Sequence, residues 1–194
     1  MTTLKLKNKP AEELPTAPLT QANQALESSR DAGFDLSAAA GELVDNSWEA
    51  KANHVRIKPL RDKHGSITDM GYADDGHGIP AQQLAAVLSL GYSSRYGNRG
   101  GLGRFGMGLK LASLSQATRV EVYSRTREDG QIYRTYVDLG EVREGKQTEL
   151  SVEAVSEWPA DFAALMTNPE SGKAFEAGTL VVWRNIDRLQ EGGR

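Results

Sequence analysis

Apolar residues recur at helical spacing in the first part of the chain and at strand spacing in the later part. The clearest helical stripe consists of Leu36, Ala39, Ala40, Leu43 and Val44. Residues three and four apart lie on one face of a helix, so this stripe predicts a buried helix running to about Ala50. A helix is also predicted from Leu19 to about Asp31, and Asp35 or Ser37 is the expected cap of the helix that follows.

The later apolar runs predict a sheet. Strands are expected over residues 55–60, 67–73, 119–125, 132–139, 148–155 and 178–183, the last being a buried strand that closes the sheet. Further helices are expected over residues 80–90, 107–116 and 160–166. Because helices cluster early and antiparallel strands late, the predicted fold class is α/β (α+β). We expect a two-layer sandwich in which one layer of helices covers a mixed, mostly antiparallel sheet.

Composition fits a single domain with a short arm before it. The chain has 194 residues, 39% of them hydrophobic, and no apolar run of the roughly 20 residues that a membrane span needs. Three prolines among polar residues predict an irregular N-terminal arm over residues 1–18, followed by one domain over residues 19–194. The N-terminus lacks the apolar stretch of a signal peptide, so a cytoplasmic protein is expected.

Charge and metal-ligating residues narrow the chemistry. A net charge of −3 gives no overall attraction to nucleic acid, although a local basic patch remains compatible with it. The chain contains no cysteine, and its three histidines lack the spacing of a metal site. Any bound metal is therefore expected to be a hard ion held by oxygen atoms.

Three motifs carry the candidate chemistry. Glu42 and Asn46 are four residues apart, so they share one face of the predicted helix at the edge of its buried side. Residues 74–80, Asp-Asp-Gly-His-Gly-Ile-Pro, end a strand with carboxylates and glycines, as site-forming loops do. Residues 101–110 are glycine-rich and precede a helix, an arrangement whose backbone N–H groups hold phosphates. The glycine-rich residues 91–103 before them are expected to form a mobile lid.

These motifs, in this order and with these separations, resemble the nucleotide site of the GHKL superfamily. The form Gly-Arg-Phe-Gly-Met-Gly-Leu-Lys is most similar to MORC ATPases and their bacterial relatives. Gly178-Thr179, which opens the last predicted strand, is similar to the threonine motif that completes the adenine pocket. The resemblance covers roughly residues 20–187 and implies a Bergerat fold.

The resemblance also implies roles for individual residues. Glu42 matches the general base, Asn46 the ligand of Mg²⁺, and Asp74 the acceptor for the exocyclic amine of adenine, with Thr179 beside it. The implied ATP-binding residues are Asn46, Asp74, Gly76, Gly78, Ser94, Arg95, Gly101, Gly103, Arg104, Phe105, Gly106, Met107, Gly108, Lys110 and Thr179.

Several of these positions have an ordinary structural interpretation as well. Lys110 is either a charge facing the phosphates or a solvated helix lysine, and Ser94 and Arg95 either close on the γ-phosphate or belong to a plain loop. Asp75 departs from the asparagine that much of the family has. His77, where gyrase-like members often have arginine, is expected to be an exposed loop residue.

The function implied is Mg²⁺-dependent ATP binding and hydrolysis, with ATP-driven lid closure coupled to dimerisation or to movement of attached domains. The expected assembly is an ATP-dependent homodimer, with no membrane partner and with a nucleic acid or protein client reached through other domains. An isolated domain of this kind is expected to be a weak ATPase. Two alternatives are an ATP-gated binding module with little hydrolysis and a histidine-kinase-type catalytic domain.

Overall fold

The helices lie together in one layer. The computed structural model describes residues 22–31, 33–90 and 108–189. The α-helices in this part of the chain are α1 (Ala22–Ser29), α2 (Leu36–Glu49), α3 (Ala81–Leu84), α4 (Gly108–Gln116) and α5 (Leu139–Arg143). Short 3-10 helices follow at Ala85–Val87 and Ala163–Met166. The predicted arm over residues 1–18 and the predicted lid over residues 91–103 lie outside the described residues.

Within the described residues, the strands form a six-stranded sheet in which every pairing is antiparallel. They are β1 (Val55–Arg61), β2 (Ile67–Asp74), β3 (Ala117–Arg125), β4 (Ile132–Asp138), β5 (Glu153–Val155) and β6 (Gly178–Ile186), in the spatial order β1-β2-β6-β3-β4-β5. The last strand therefore lies at the centre of the sheet, between β2 and β3. Its continuous apolar run, Leu180 to Trp183, is buried on both faces, as a central strand requires.

Each face of the sheet contributes to its own apolar core. The core beneath the helices includes Leu43 of α2 and Leu114 of α4, together with Val122 and Trp183 of the sheet. The opposite face packs against the segment around Phe162, which is fully buried. The two-layer α/β sandwich is confirmed, and this second covering segment adds to it.

The helix α2 positions most of the site. Asp35 caps it, because its Oδ1 atom accepts a hydrogen bond of 2.7 Å from the backbone N–H of Ala38. The predicted buried stripe is correct at Ala39 and Leu43 but wrong at Val44, which is 39% exposed. Ser47 is buried instead, because it lies one turn after Leu43 on the side that faces the sheet.

Several predicted elements differ from the structure. The helix expected over residues 80–90 is α3 plus a 3-10 turn, the strand expected over 148–155 is reduced to β5, and the helix expected over 160–166 is a 3-10 helix. The strand expected over 132–139 ends at Asp138, whose side chain caps α5 by accepting hydrogen bonds from the backbone N–H groups of Gly140 and Glu141. Among the described residues, no helix is long and apolar enough to cross a membrane.

Candidate functional site

A cavity of about 230 Å³ opens between α2, the loop after β2, and the start of α4. Its lining brings together six residues that were predicted from separate motifs: Glu42, Asn46, Asp74, Gly78, Gly108 and Thr179. These residues come from parts of the chain up to 137 positions apart (179 minus 42). The fold therefore places the helix motif, the loop motif and the late strand around one space.

Asp74 forms the buried polar end of this cavity. Its Oδ1 accepts a hydrogen bond of 2.9 Å from the backbone N–H of Gly76, and its Oδ2 accepts one of 3.2 Å from Ser47 Oγ. Thr179 is directly opposite Asp74 in the β2–β6 pairing, and both residues are 7% exposed. Burial raises the pKa of Asp74, although hydrogen bonds from Gly76, Ser47 and Thr179 oppose that rise. A buried carboxylate with acceptor capacity thus borders the cavity.

The loop after β2 is fixed by close backbone packing. Gly78 has φ +74°, and a Cβ atom there would lie 2.2 Å from the carbonyl oxygen of Arg125. A Cβ atom on Gly76 would lie 2.7 Å from the carbonyl oxygen of Ala50. The backbone N–H of Ile79 donates a hydrogen bond of 2.6 Å to Ser124 Oγ. Both glycines are therefore required by the approach of neighbouring backbone, and the loop is held against α2 and β3.

Asp75 holds the turn after α2. Its Oδ1 accepts hydrogen bonds from the backbone N–H groups of Asn53 (2.7 Å) and His54 (2.8 Å), and its Oδ2 lies 2.7 Å from His54 Nδ1. Burial alone would raise the pKa of Asp75, but these hydrogen bonds from His54 and Asn53 outweigh it and hold the pKa below its usual range. Asp75, which stands where much of the family has asparagine, therefore pairs with His54 in this chain.

Glu42 and Asn46 form the other polar part of the cavity wall. Both project from the same side of α2 and are partly buried. Asn46 Nδ2 is buried without a hydrogen-bond partner in the described part of the chain. The carboxylate of Glu42 lies against Gly108, the first residue of α4. Within residues 22–31, 33–90 and 108–189, no cluster of three His, Asp or Glu side chains is arranged to hold a metal ion.

Lys110 is buried, so the interpretation as a solvated helix lysine is wrong. Its Nζ donates a hydrogen bond to the backbone carbonyl of Ser89, and desolvation lowers its pKa. His77 is exposed, as expected, and borders the cavity.

The remaining predicted positions lie outside the described residues. They are Ser94, Arg95, Gly101, Gly103, Arg104, Phe105, Gly106 and Met107. Their roles stay predictions, as do those of the described site residues.

Sequence reasoning missed several residues that shape the cavity. Ser47 donates to Asp74, while Tyr72 and Val181 provide apolar wall on the two strands that carry Asp74 and Thr179. The signal for Ser47 was present, because it follows Leu43 by four residues and so belongs to the buried side of α2. Tyr72 and Val181 are two residues from Asp74 and Thr179 along their strands, and alternation places each pair on one face.

Comparison with known proteins agrees with this geometry. The profile of the family described as histidine kinase-, DNA gyrase B- and HSP90-like ATPase matches residues 34–172, which is more than half of the chain. This range contains α2, the loop after β2 and α4, and therefore most of the cavity wall.

Individual relatives are similar over a shorter range. The DNA mismatch repair protein MutL of Shewanella loihica is 35% identical over 105 residues, covering 52% of this chain and 16% of MutL. Protein MICRORCHIDIA 7 of Arabidopsis thaliana is 28% identical over 90 residues, covering 45% of this chain and 13% of that protein. The chain thus spans less than a fifth of the length of these relatives. On the profile match, it belongs to the histidine kinase-, DNA gyrase B- and HSP90-like ATPase family, and this membership implies that it binds ATP.

Proposed function

We propose that this chain binds ATP with Mg²⁺ and hydrolyses it, with Asp74 recognising adenine and Glu42 acting as general base. The observation that supports this most is the convergence of Glu42, Asn46, Asp74 and Thr179 on one cavity. Asp74 is a buried acceptor at one end of the cavity, where adenine would bind. Glu42 and Asn46 are partly buried polar residues on the helix wall, where the phosphates would bind.

Adenine recognition is assigned to Asp74. The exocyclic amine of adenine donates a hydrogen bond, and a carboxylate only accepts, so the two groups are complementary. Guanine has a carbonyl at the same position, which would leave two acceptors facing each other in a buried place. Each of the two unsatisfied acceptors costs about 1–3 kcal/mol, so a preference for ATP over GTP of at least about tenfold is expected.

Hydrolysis is assigned to Glu42. Its carboxylate would hold a water molecule and take a proton from it as the water oxygen bonds to the γ-phosphorus. The bond between that phosphorus and the bridging oxygen of the β-phosphate breaks, and its electron pair leaves with ADP. The products are ADP and inorganic phosphate, and Glu42 later returns its proton to solvent.

Magnesium fits beside Glu42. Asn46 Nδ2 is buried without a hydrogen-bond partner in the described chain, so the amide does not donate a hydrogen bond to its own helix. Its amide oxygen is a hard donor of the kind that Mg²⁺ takes alongside water and phosphate oxygens. When bound, the ion would neutralise charge on the phosphates.

Glu42→Ala tests the chemistry. The variant should keep the ATP affinity of the parent, because the adenine-binding end of the cavity is untouched. Its turnover, measured by phosphate release, should fall about 10²–10⁴-fold, because the general base is removed. Asp45→Asn is the matched control, since Asp45 is the exposed carboxylate three residues further along α2. Parent-like turnover in Glu42→Ala would remove Glu42 as the base. ATP binding without turnover in the parent would favour an ATP-gated binding module.

The finer parts of the proposal concern coupling. We propose that ATP binding drives homodimerisation, or movement of attached domains that contact a nucleic acid or protein client. The isolated domain is then a weak ATPase in the cytoplasm. Sedimentation with and without a non-hydrolysable ATP analogue tests the first part: a nucleotide-dependent dimer supports it, and an unchanged monomer contradicts it.

A further inference from the structure

Gly108 lies directly against the carboxylate of Glu42. A Cβ atom built on Gly108 would lie 1.9 Å from Glu42 Oε2 and 2.9 Å from its Cδ atom. Non-bonded carbon atoms pack at about 3.5–4.0 Å, so no side chain fits here while Glu42 keeps its position. The Glu42 carboxylate occupies the space that a side chain on residue 108 would need.

Backbone conformation does not account for this glycine. Gly108 begins α4 and is not among the residues with positive φ in the described chain. In a helix, glycine is less favourable than alanine by up to about 1 kcal/mol. The contact with Glu42 is thus the feature of the structure that distinguishes glycine from alanine at this position.

We propose that Gly108 is a positioning residue for Glu42, because the side chain it lacks would displace the carboxylate from the cavity wall. The inference rests on the proposed role of Glu42 as general base. Alanine at position 108 would move the reacting oxygen while leaving Asp74 and Thr179 in place. A displacement of about 1 Å in a reacting group reduces a rate by up to about 10²-fold.

A different role would leave a different trace. The sequence resemblance places Gly108 in a phosphate-binding motif, where its contribution would be a backbone N–H to the phosphates. Alanine keeps that N–H, but its Cβ atom would obstruct the close approach of the phosphates to the backbone, so alanine would chiefly weaken ATP binding. The ratio of the effects on kcat and on the dissociation constant therefore separates the two roles.

The kinetic test is Gly108→Ala in the full chain, with ATP affinity measured by calorimetry and kcat by phosphate release. We expect kcat to fall about 10²-fold and the dissociation constant for ATP to change less than about threefold. Gly41→Ala is the matched control, because Gly41 precedes Glu42 in α2 and a Cβ atom there would meet nothing within 4 Å. Weaker ATP binding with an unchanged kcat would overturn the proposal.

The thermal test needs no nucleotide. With Glu42 truncated to alanine, Gly108→Ala should raise the unfolding midpoint by about 2–4 °C, as a helical glycine-to-alanine change does without a clash. With Glu42 present, the same substitution should give no such gain or a loss. Equal shifts of the unfolding midpoint with and without Glu42 would contradict the contact between positions 42 and 108. Failure of both Gly108→Ala variants to fold, while Glu42→Ala alone folds, would also contradict it.

The two tests also separate this inference from the proposed function. If Glu42→Ala retains full turnover, Glu42 is not the base and the functional consequence of Gly108 falls with it. The coupling between positions 42 and 108 in thermal unfolding would still report whether the contact exists. Coupling with no effect of Gly108→Ala on kcat would contradict the positioning role alone.

Discussion

The two ends of the cavity differ in how far the described residues satisfy their own polar atoms. At the Asp74 end, both carboxylate oxygens accept hydrogen bonds, and the loop behind them is pressed against Ala50 and Arg125. At the Glu42 end, Asn46 Nδ2 is buried without a partner in the described chain. The first end is satisfied by the fold itself, whereas the second has a buried polar atom that the described residues leave without a partner. Changes at the two ends should therefore fail in different ways.

The largest effect is expected where the loop meets the sheet. Gly78→Ala should destabilise the protein by about 3 kcal/mol, because it combines a left-handed backbone with a Cβ atom 2.2 Å from the Arg125 carbonyl oxygen. Urea unfolding measures the free energy change. Gly41→Ala, whose added methyl group meets nothing within 4 Å, should be neutral or stabilising. A Gly78→Ala variant as stable as the parent would show that this end is not built into the fold.

An effect on ligand binding alone is expected at the second end. Asn46→Ala should weaken ATP binding in the presence of Mg²⁺ by about tenfold, or 1.4 kcal/mol, because one oxygen ligand is lost. Its affinity for adenosine, which lacks phosphates, should stay at the parent value. Calorimetry with both ligands checks this. Equal losses of affinity for ATP and for adenosine would mean that Asn46 contacts the adenosine part of ATP instead of the phosphates or Mg²⁺.

A smaller effect is expected from the donor to Asp74. Ser47→Ala removes the 3.2 Å hydrogen bond to Asp74 Oδ2, and a hydrogen bond of this kind contributes about 1 kcal/mol to stability. Because the lost bond also favoured the ionised carboxylate, the pKa of Asp74 should rise further. Thermal unfolding and the pH dependence of adenosine binding measure both quantities. Parent-like values of both would mean that Ser47 only fills space.

The smallest effect near neutral pH concerns protonation of Asp74. Burial raises its folded-state pKa, so the ionised carboxylate disfavours folding, and its contribution to the free energy of unfolding falls as pH rises through that pKa. Adenosine binding has the opposite slope, because it needs the ionised acceptor and weakens as pH falls. The weakening should begin at a higher pH than it would for an exposed aspartate. A binding profile identical in Asp74→Asn would contradict this origin.

Local patterns in the sequence were sufficient for much of the site. Helical spacing placed Glu42 and Asn46 on one face of α2, because side-chain direction in a helix follows from position alone. The glycines at 76 and 78 were predicted from the need for close approach in a site-forming loop, although the groups that approach them are the Ala50 and Arg125 carbonyls of the protein's own backbone. The α/β sandwich followed from the order of helical and strand patterns.

Long-range packing was not encoded in those patterns. The central position of β6 depends on pairing with β2 and β3, which are distant in sequence, and a continuous apolar run is compatible with several positions in a sheet. The same limit applies to Lys110, which is buried and donates a hydrogen bond to the carbonyl of Ser89, 21 residues away in the sequence. The packing of Phe162 on the sheet was also not predicted, because it depends on Gly71, which is distant in sequence. A Cβ atom on Gly71 would lie 2.4 Å from Phe162 Cδ1, so the missing side chain makes room for the phenyl ring.

Calorimetry of ATP, GTP and a non-hydrolysable ATP analogue with Mg²⁺, on the parent and on Asp74→Asn, tests adenine recognition by Asp74 most directly. The parent should bind ATP and the analogue at least about tenfold more tightly than GTP, and Asp74→Asn should lose this selectivity. Equal binding of ATP and GTP by a folded parent, or unchanged selectivity in Asp74→Asn, would contradict this role.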